Sequence, residues 1–515
     1  MKVRLPTYTR FFVYYTLSTF CIYILSELAY LRFFHMAGDS AGYVDLINRV
    51  SKYGDMRSNV FMSPYPLFDL MGKSAPQYCA SDYDNKYLGT SFYHLHSYLI
   101  VYLFSIIHKI LGINTVLLAS YINGIATFIT LSCTFKISRK YKLSKIESIS
   151  IVLAFAFFTP LIGSISGQFY YDRLFIPMAL LGFYYVIIYE GKYKSTILIL
   201  ILIFTSLISE RSALMIGIFF IYLNTTNKCT INYKLILIST IPIIYYFFWN
   251  KYIQSGIYLN NTSLLQVISN IYMLFDFESE YSNLSIKFLT VILPLLAVSI
   301  FSKSFFYICL IFIAPNLIIS VGGAEKIGYI SHYHSFYIPI LIIGVIIGYA
   351  NIKFKFKSKF TIIILLILIS INFYLSFGKQ FVVSPTLTHG LLSDSRLLIK
   401  DSDIRTTSDN RKKLLSELMQ GINRDSTISA SEFIMPILVN FDFENIRYFP
   451  IGIYDSDYII TESATSNEEF LLTIVADQPE KIRIEKCIHQ ILLGRYNEYR
   501  SAEIGAIKYI LWKIK

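Results

Sequence analysis

The chain has 515 residues, 54% of them hydrophobic and 17% aromatic but only 16% charged, with a mean hydropathy of +0.52. Soluble domains carry roughly 25% charge, so a soluble enzyme, a disordered chain and a secreted disulfide scaffold are excluded, and the continuous helix-length apolar runs exclude a porin-type barrel with its alternating strands. The formal charge of +12 does not signal nucleic acid: residues 378–515 hold 17 Lys and Arg against 19 Asp and Glu, so the whole excess lies in the apolar part, where basic residues in short loops set orientation.

The first apolar run, residues 11–31, follows Lys2, Arg4 and Arg10. It is too long for a signal-peptide core and has no small-residue cleavage site, so it reads as an uncleaved signal anchor with its N-terminus in the cytoplasm. A polar stretch, 32–96, follows, rich in Asp (Asp39, Asp45, Asp55, Asp69, Asp82, Asp84) and long for a connection, which hints at function. The run 98–111 is short for a span and ends in His108 and Lys109, as a helix lying in the membrane interface does. The run 114–135 is long enough to cross, and the cluster Lys136, Arg139, Lys140, Lys142 and Lys145 places its end inside.

Further apolar runs occupy 146–164, 174–189, 195–208, 213–223, 235–248, 288–301, 304–319, 336–350 and 360–377. Several fall short of the ~20 residues of a perpendicular span, so tilted or broken pieces are expected. Counting from a cytoplasmic N-terminus gives about eleven transmembrane helices and puts every basic cluster, including Lys353, Lys355, Lys357 and Lys359, on one side. The expected architecture is an all-α polytopic membrane domain over 1–377, with a large outer loop at 32–96, followed by a small extracytoplasmic α/β domain over 378–515. In that tail, 393–421 reads as helix with a break near 401–409, the segments 426–430, 446–450 and 457–461 as short buried strands, and 498–512 as a closing hairpin.

The six cysteines (Cys21, Cys79, Cys133, Cys229, Cys309, Cys487) form no C-x-x-C pair, which removes zinc and redox motifs. Four lie in or beside apolar runs and read as small core residues; a Cys79–Cys487 bridge is conceivable where both face an oxidising compartment. The sequence Gly72-Lys73-Ser74 has the end of a P-loop, but Leu67 stands where the loop needs its first Gly.

The polar groups that stand out all fall in outer segments. Asp39 lies in His35-Met-Ala-Gly38-Asp39-Ser40-Ala-Gly-Tyr43, directly after the first run. An acid at a membrane boundary can take a proton from an acceptor hydroxyl, and it can equally cap the short helix that starts there. His94 and His96 lead into the interfacial helix, with a spacing that suits a hydrated pair better than a metal pair. Asp172 and Arg173 follow Gln168, Tyr170 and Tyr171, and either pair with each other or free Arg173 for a phosphate. Glu210 and Arg211 interrupt a long apolar stretch as the tip of a tight turn, or at membrane depth as a functional site. Gly322-Gly-Ala-Glu325-Lys326, then Ser331-His332-Tyr333-His334, precede the run at 336–350.

This order of features resembles the predicted bacterial membrane proteins of the domain-of-unknown-function family 2079, which looks like a member of the GT-C glycosyltransferase superfamily. Asp39 matches the acid in the first outer loop. His94-Leu-His96-Ser97-Tyr98 echoes a His-Phe-Ser-Pro entry, without the Pro. Ser209-Glu210-Arg211 echoes a Lys-Glu-Asp, keeping only the Glu. His332-Tyr333 and Pro339 keep a His-Tyr-Pro pattern, and Tyr448-Phe-Pro with Asp455-Ser-Asp457-Tyr looks like the family's outer domain. Where the family often has a His before the fourth span, this chain reads Tyr171-Asp172-Arg173.

The resemblance implies an inverting glycosyltransferase in the bacterial inner membrane. A polyprenyl-phosphate-linked sugar is the implied donor, with a glycan, lipid or protein acceptor on the outer face and Asp39 as general base. His332, His334, Arg173 or Lys326 would offset the charge of the departing phosphate, with Tyr43, His94, His96, Glu210, Arg211 and Tyr333 lining the donor site. No cofactor is expected; a divalent ion shared by Asp39 and a His is the less favoured variant. Competing readings are an O-antigen-type polymerase, a transporter or flippase, and a non-catalytic envelope scaffold. The acid-rich first loop and the lack of an internal repeat argue against the first two.

Overall fold

A computed structural model describes residues 7–33, 38–62, 93, 96–161, 169–226, 233–253, 264–276, 279–319, 332–356, 358–377, 401–431, 434–441, 443, 445–450, 452–464, 478–504 and 507–515. The chain is mostly helical and ends in one five-stranded sheet. It divides into two compact units. The first comprises 1–29, 94–100 and 120–399; the second comprises 30–93, 101–119 and 400–515. The described residues 38–62 thus fold in the same unit as residues 400–515.

The helices, in chain order, are α1 (Thr7–Phe33), α2 (Gly38–Tyr53), α3 (Asn59–Met62), α4 (Ile100–Leu111), α5 (Thr115–Lys140), α6 (Lys145–Ala156), α7 (Phe175–Phe183), α8 (Lys194–Ile208), α9 (Glu210–Thr226), α10 (Tyr233–Tyr252), α11 (Leu264–Leu274), α12 (Glu280–Ser299), α13 (Ser304–Ala314), α14 (Ile338–Lys355) and α15 (Ser358–Phe377). Among the described residues, four segments are long and apolar enough to cross a membrane: Thr115–Lys140, Tyr171–Ile188, Ser282–Ser302 and Ile338–Lys355. Some of the other apolar helices, such as Ile100–Leu111 and Lys194–Ile208, are shorter. The apolar runs are helical as expected, and four of the described segments meet both length and composition for a crossing, so the expected count of eleven is not established.

The first unit is built around α14, whose residues from Ile338 to Val345 are all buried. Small residues let its neighbours approach. A Cβ added at Gly348 would lie 2.2 Å from the Val298 carbonyl oxygen of α12, and one at Gly124 on α5 would lie 2.2 Å from Ser26 Oγ of α1. Without water, apolar helices gain nothing from burial against lipid, so such close backbone contact supplies the packing energy. At one end of the bundle α6 begins in a capping box, Ser144 with Glu147. Glu147 also receives hydrogen bonds from Lys353 Nζ (2.7 Å) and Tyr349 Oη (3.4 Å) of α14, so one carboxylate caps a helix and pins two together.

In the second unit α2 is buried almost all round, from Ser40 to Ile47. It packs on α17 (Met435–Asn440), α3 packs on the strand β2 below, and Ser105 Oγ of α4 donates to the Ile47 carbonyl (2.9 Å). Its buried Asp45 accepts from Ser58 Oγ (2.5 Å) and lies 3.6 Å from Arg49 Nε. Burial raises the Asp45 carboxyl above its ordinary value, against the opposing pull of Arg49.

The tail helix α16 (Asp401–Leu418) runs unbroken through 401–409, where the sequence suggested a break: its polar stretch has helical spacing and no Gly or Pro. The strands β1 (Thr427–Ala430), β2 (Asn445–Tyr448), β3 (Tyr458–Ala464), β4 (Tyr496–Ile504) and β5 (Ile507–Ile514) lie in the order β2-β1-β3-β5-β4. The first three are parallel; β5 runs antiparallel between β3 and β4. All three expected strand segments and the hairpin are present. On one face Ile459 and Trp512, paired in register, pack with Ile484, Ile488 and Leu492 of α18 (Gln478–Arg495). Elsewhere in the domain, Arg411 of α16 pairs with buried Glu462 (2.7 Å), which also accepts from Ser431. Cys487 is disulfide-bonded to a cysteine outside the described residues, whereas Cys21, Cys133 and Cys309 are free. Cys487 is thus bridged, and the other half of the conceivable Cys79–Cys487 bond, Cys79, lies outside the described residues.

Two predictions follow from this packing. Gly348→Ala should lower thermal stability by about 1–3 kcal/mol because backbone must move, while Gly494→Ala, on an open helix surface, should be neutral or stabilising by up to about 1 kcal/mol. Melting of the purified protein checks both. The raised Asp45 carboxyl makes the second unit most stable where that group is protonated, so stability should decline as pH rises from the ordinary Asp range through the raised value. Asp45→Asn should flatten this slope, read from Trp512 fluorescence in a Trp249→Phe background that leaves one tryptophan.

Candidate functional site

The first unit gathers ionisable side chains at the N-terminal ends of several helices. Glu210 is the first residue of α9, after Ser209 breaks the chain direction from α8 in extended conformation. The turn Tyr171–Leu174 leads directly into α7, and the turn His332–His334 leads towards α14 and packs on the Tyr171–Leu174 turn. Helix starts bring unsatisfied N–H groups and positive dipole ends to one place, which favours negative charge there.

Glu210 is the hub. It is 3% exposed and accepts from the Ser97 backbone N–H (2.9 Å) and from His96 Nδ1 (2.9 Å), with Arg211 Nε 3.8 Å away on the same oxygen as His96. Asp172, fully buried, accepts from Ser209 Oγ and from Tyr98 Oη (3.2 Å), with Ser212 Oγ at 3.4 Å. Ser97 Oγ and Tyr245 Oη of α10 share a hydrogen bond. Arg211 lies over the Tyr333 ring, 5.9 Å from its centre, and its side chain remains 36% accessible. Of this group, Arg211 is therefore the cation that an incoming ligand can reach.

Arg173 does not take Asp172 as its partner, the bland alternative in the sequence. Its guanidinium stacks on Tyr170 (5.6 Å) and lines a small cavity with Asn123, Thr127 and Thr130 of α5, all buried polar residues on an apolar span. The hydroxyls of Thr130, Thr134 and Ser138 turn back to carbonyls four residues earlier, so that part of the stripe is internally satisfied.

The structure thus brings His96, Glu210, Arg211 and Tyr333 into one network and sets Arg173 beside it in sequence with Asp172. His334 is elsewhere in its own contacts: it is completely buried, hydrogen-bonds Tyr337 Oη through Nδ1 (3.0 Å) and packs on Phe288. Tyr43 is buried in α2 of the second unit. Asp39 is the second residue of α2 and so lies inside the helix rather than at its cap; its side chain, that of His332, and His94, Gln168 and Lys326 altogether lie outside the described residues. Among the described residues no three His, Cys, Asp or Glu are grouped to hold a metal ion.

Residues 78–501 match the family described as "Predicted membrane protein (DUF2079)". The chain belongs to this family. The match spans the cavity, the buried network and most of the tail, and begins after α3. No curated protein matches the chain.

Ser212, Tyr245, Asn123 and Thr127 carry no signal of their own in the sequence, and Tyr98 carries one only as the end of the His94–Tyr98 motif. Each is ordinary in sequence, Tyr above all among 42. The usable signal was polar residues flanking Glu210-Arg211, since a buried carboxylate requires donors nearby. Removing the hub should be costly: Glu210→Ala should lower unfolding free energy by about 3 kcal/mol, leaving Ser97 N–H and the cations without their acceptor. Glu210→Gln, which keeps one acceptor oxygen, should lose less; melting in detergent compares the two.

Proposed function

We propose that this DUF2079 protein is a membrane glycosyltransferase of the GT-C type. It moves a sugar from a polyprenyl-phosphate carrier to an acceptor on the outer face of the bacterial inner membrane. The observation that carries this reading is the network around Glu210: five ionisable residues, His96, Asp172, Arg173, Glu210 and Arg211, in contact or adjacent within an apolar helical bundle. Charges in such a place cost several kcal/mol to bury and mark functional sites. Two arginines with converging helix starts suit one anionic group, and a phosphate on a lipid tail can approach from the bilayer.

In this reading the chain crosses the membrane eleven times from a cytoplasmic N-terminus, and the tail lies outside. The disulfide at Cys487 supports an oxidising compartment for the tail. Arg211 and Arg173 hold the donor phosphate and offset the charge that grows as the C1–O bond to phosphate breaks. Asp39 takes the proton of the acceptor hydroxyl as the new glycosidic bond forms on the opposite face of the sugar, which inverts the anomeric carbon.

The test is release of lipid phosphate by purified protein in bilayers, given a panel of polyprenyl-phosphate sugars with candidate acceptors. Asp39→Asn should reduce turnover at least about a hundredfold with donor binding intact, and Arg173→Lys should weaken donor binding about tenfold, since a fork donor becomes a point charge. Equal turnover in wild type and Asp39→Asn removes Asp39 as the base. Movement of the intact lipid-linked sugar between leaflets without its cleavage replaces this reading with that of a lipid carrier.

A further inference from the structure

Two polar side chains of α5 are not answered by their own helix. The Thr130 hydroxyl bonds the Ala126 carbonyl (2.8 Å), and Thr134 and Ser138 repeat the pattern further along. Asn123 and Thr127 share that face of the helix, yet neither side chain takes a hydrogen-bond partner among the described residues. Both are nearly buried, at 7% exposure each. They line the small cavity beside Arg173, with Leu161 and Ile176 as apolar walls. Its volume is about 20 Å³, room for about one water-sized group. Polar groups held away from water without a partner cost free energy, so the amide and the hydroxyl favour an occupant that hydrogen-bonds to both.

We infer that this cavity reads a single hydroxyl of the donor sugar, the one at C2, and so selects sugars with a C2 hydroxyl over 2-deoxy and 2-acetamido sugars. This rests on the reading above, in which Arg173 holds the donor phosphate, and adds to it the class of sugar. Position points to C2: Arg173 itself lines the cavity, the phosphate sits on C1, and the nearest hydroxyl of the ring is on the next carbon. Chemistry points to a hydroxyl. It both donates and accepts, and so do the Asn123 amide and the Thr127 hydroxyl. A phosphate oxygen only accepts, which leaves the amide carbonyl unanswered. Size excludes the alternative substituent, since an acetamido group puts several heavy atoms where one fits. A 2-deoxy sugar fits but leaves both polar groups unpaired, the situation in which hydrogen-bonding sites discriminate most strongly.

A structural water could bond the same two side chains, and a substrate hydroxyl reproduces the hydrogen bonds of the water it replaces. The third wall separates the two occupants. Arg173 is 3% exposed, its guanidinium is stacked on Tyr170 (5.6 Å), and it stands on the turn that opens α7. A hydration site needs no buried guanidinium, whose burial costs several kcal/mol. A site that holds a phosphate and the first atoms of its sugar needs a fork donor and a neutral hydrogen-bonding pair side by side.

The experiment uses the full chain in nanodiscs and calorimetric titration with farnesyl phosphodiesters of glucose, mannose and galactose, their 2-deoxy and 2-acetamido counterparts, and methyl farnesyl phosphate as the sugar-free monoanion. Wild type should bind at least one ester with a C2 hydroxyl about tenfold more tightly than its 2-deoxy counterpart. No 2-acetamido ester should bind more tightly than its 2-deoxy counterpart. Asn123→Leu and Thr127→Val should each cut the tenfold ratio to about threefold or less; Thr127→Val, which keeps the side-chain shape, serves if Asn123→Leu does not fold. Ile125→Val, on the exposed face of α5, should keep the ratio. Equal binding of hydroxy and deoxy esters to wild type, or a ratio unchanged in both variants, shows that the cavity takes a structural water only and overturns the inference, while binding of methyl farnesyl phosphate leaves the phosphate reading standing. Tightest binding by a 2-acetamido ester overturns it as well. Absence of binding by every ester and by methyl farnesyl phosphate overturns the phosphate reading, and this inference with it.

Discussion

A carboxylate inside an apolar bundle must be answered by donors and cations, and Glu210 sets that requirement for the first unit. Its position as the opening residue of α9 already gives it the positive end of a helix. That is not enough at 3% exposure, so the chain brings in His96 and the Ser97 amide from over a hundred positions earlier, and Arg211 from next door. Ser209, one residue before, ties the same corner to Asp172. The entry to α4, the start of α7 and the start of α9 are thereby fixed relative to one another by polar bonds, in a region where apolar packing alone would leave helices free to slide.

The sequence made some of this legible and hid the rest for definable reasons. Glu210 and Arg211 stood out because charge is rare in apolar runs. That they form a network with His96 could not be read, since no periodicity links residues so far apart. Asp172-Arg173 looked like a self-satisfied pair; adjacent residues in a tight helical turn point apart, and each side chain found a different partner. The tail's strands are visible as short β-branched and aromatic runs, whereas α16 at 401–409 is a polar stretch with little of the apolar pattern that marks a helix. The eleven runs were visible as apolarity, but apolarity counts residues and not bilayer depth, and four described helices satisfy length and composition together.

The second unit shows a different logic. Its charges serve cohesion: Arg411 with Glu462 inside the sheet domain, Lys412 with Tyr30 at the end of α1 (3.0 Å), Asp45 with Ser58 under α2. Two of these join segments that are distant in sequence, as does the packing of α2 on α17. Nothing comparable to the exposed arm of Arg211 is found among these pairs, whose carboxylates are nearly inaccessible. Where Arg211 stays within reach in the first unit, the carboxylates of Asp45 and Glu462 in the second are closed in.

The buried helix α2 has a consequence for how the protein is made. Its residues from Ser40 to Ile47 are covered on every side, and part of the cover, α17, is synthesised only after all the membrane helices. The sheet itself waits longer, since β5, the last strand in the chain, separates β3 from β4. While the ribosome works through the spans, α2 presents apolar surface with its eventual partner still unwritten. Loop-closure entropy over such a separation slows the joining further. A chain stopped before the tail would therefore leave this early helix without part of its cover, its apolar surface open to water or to other chains.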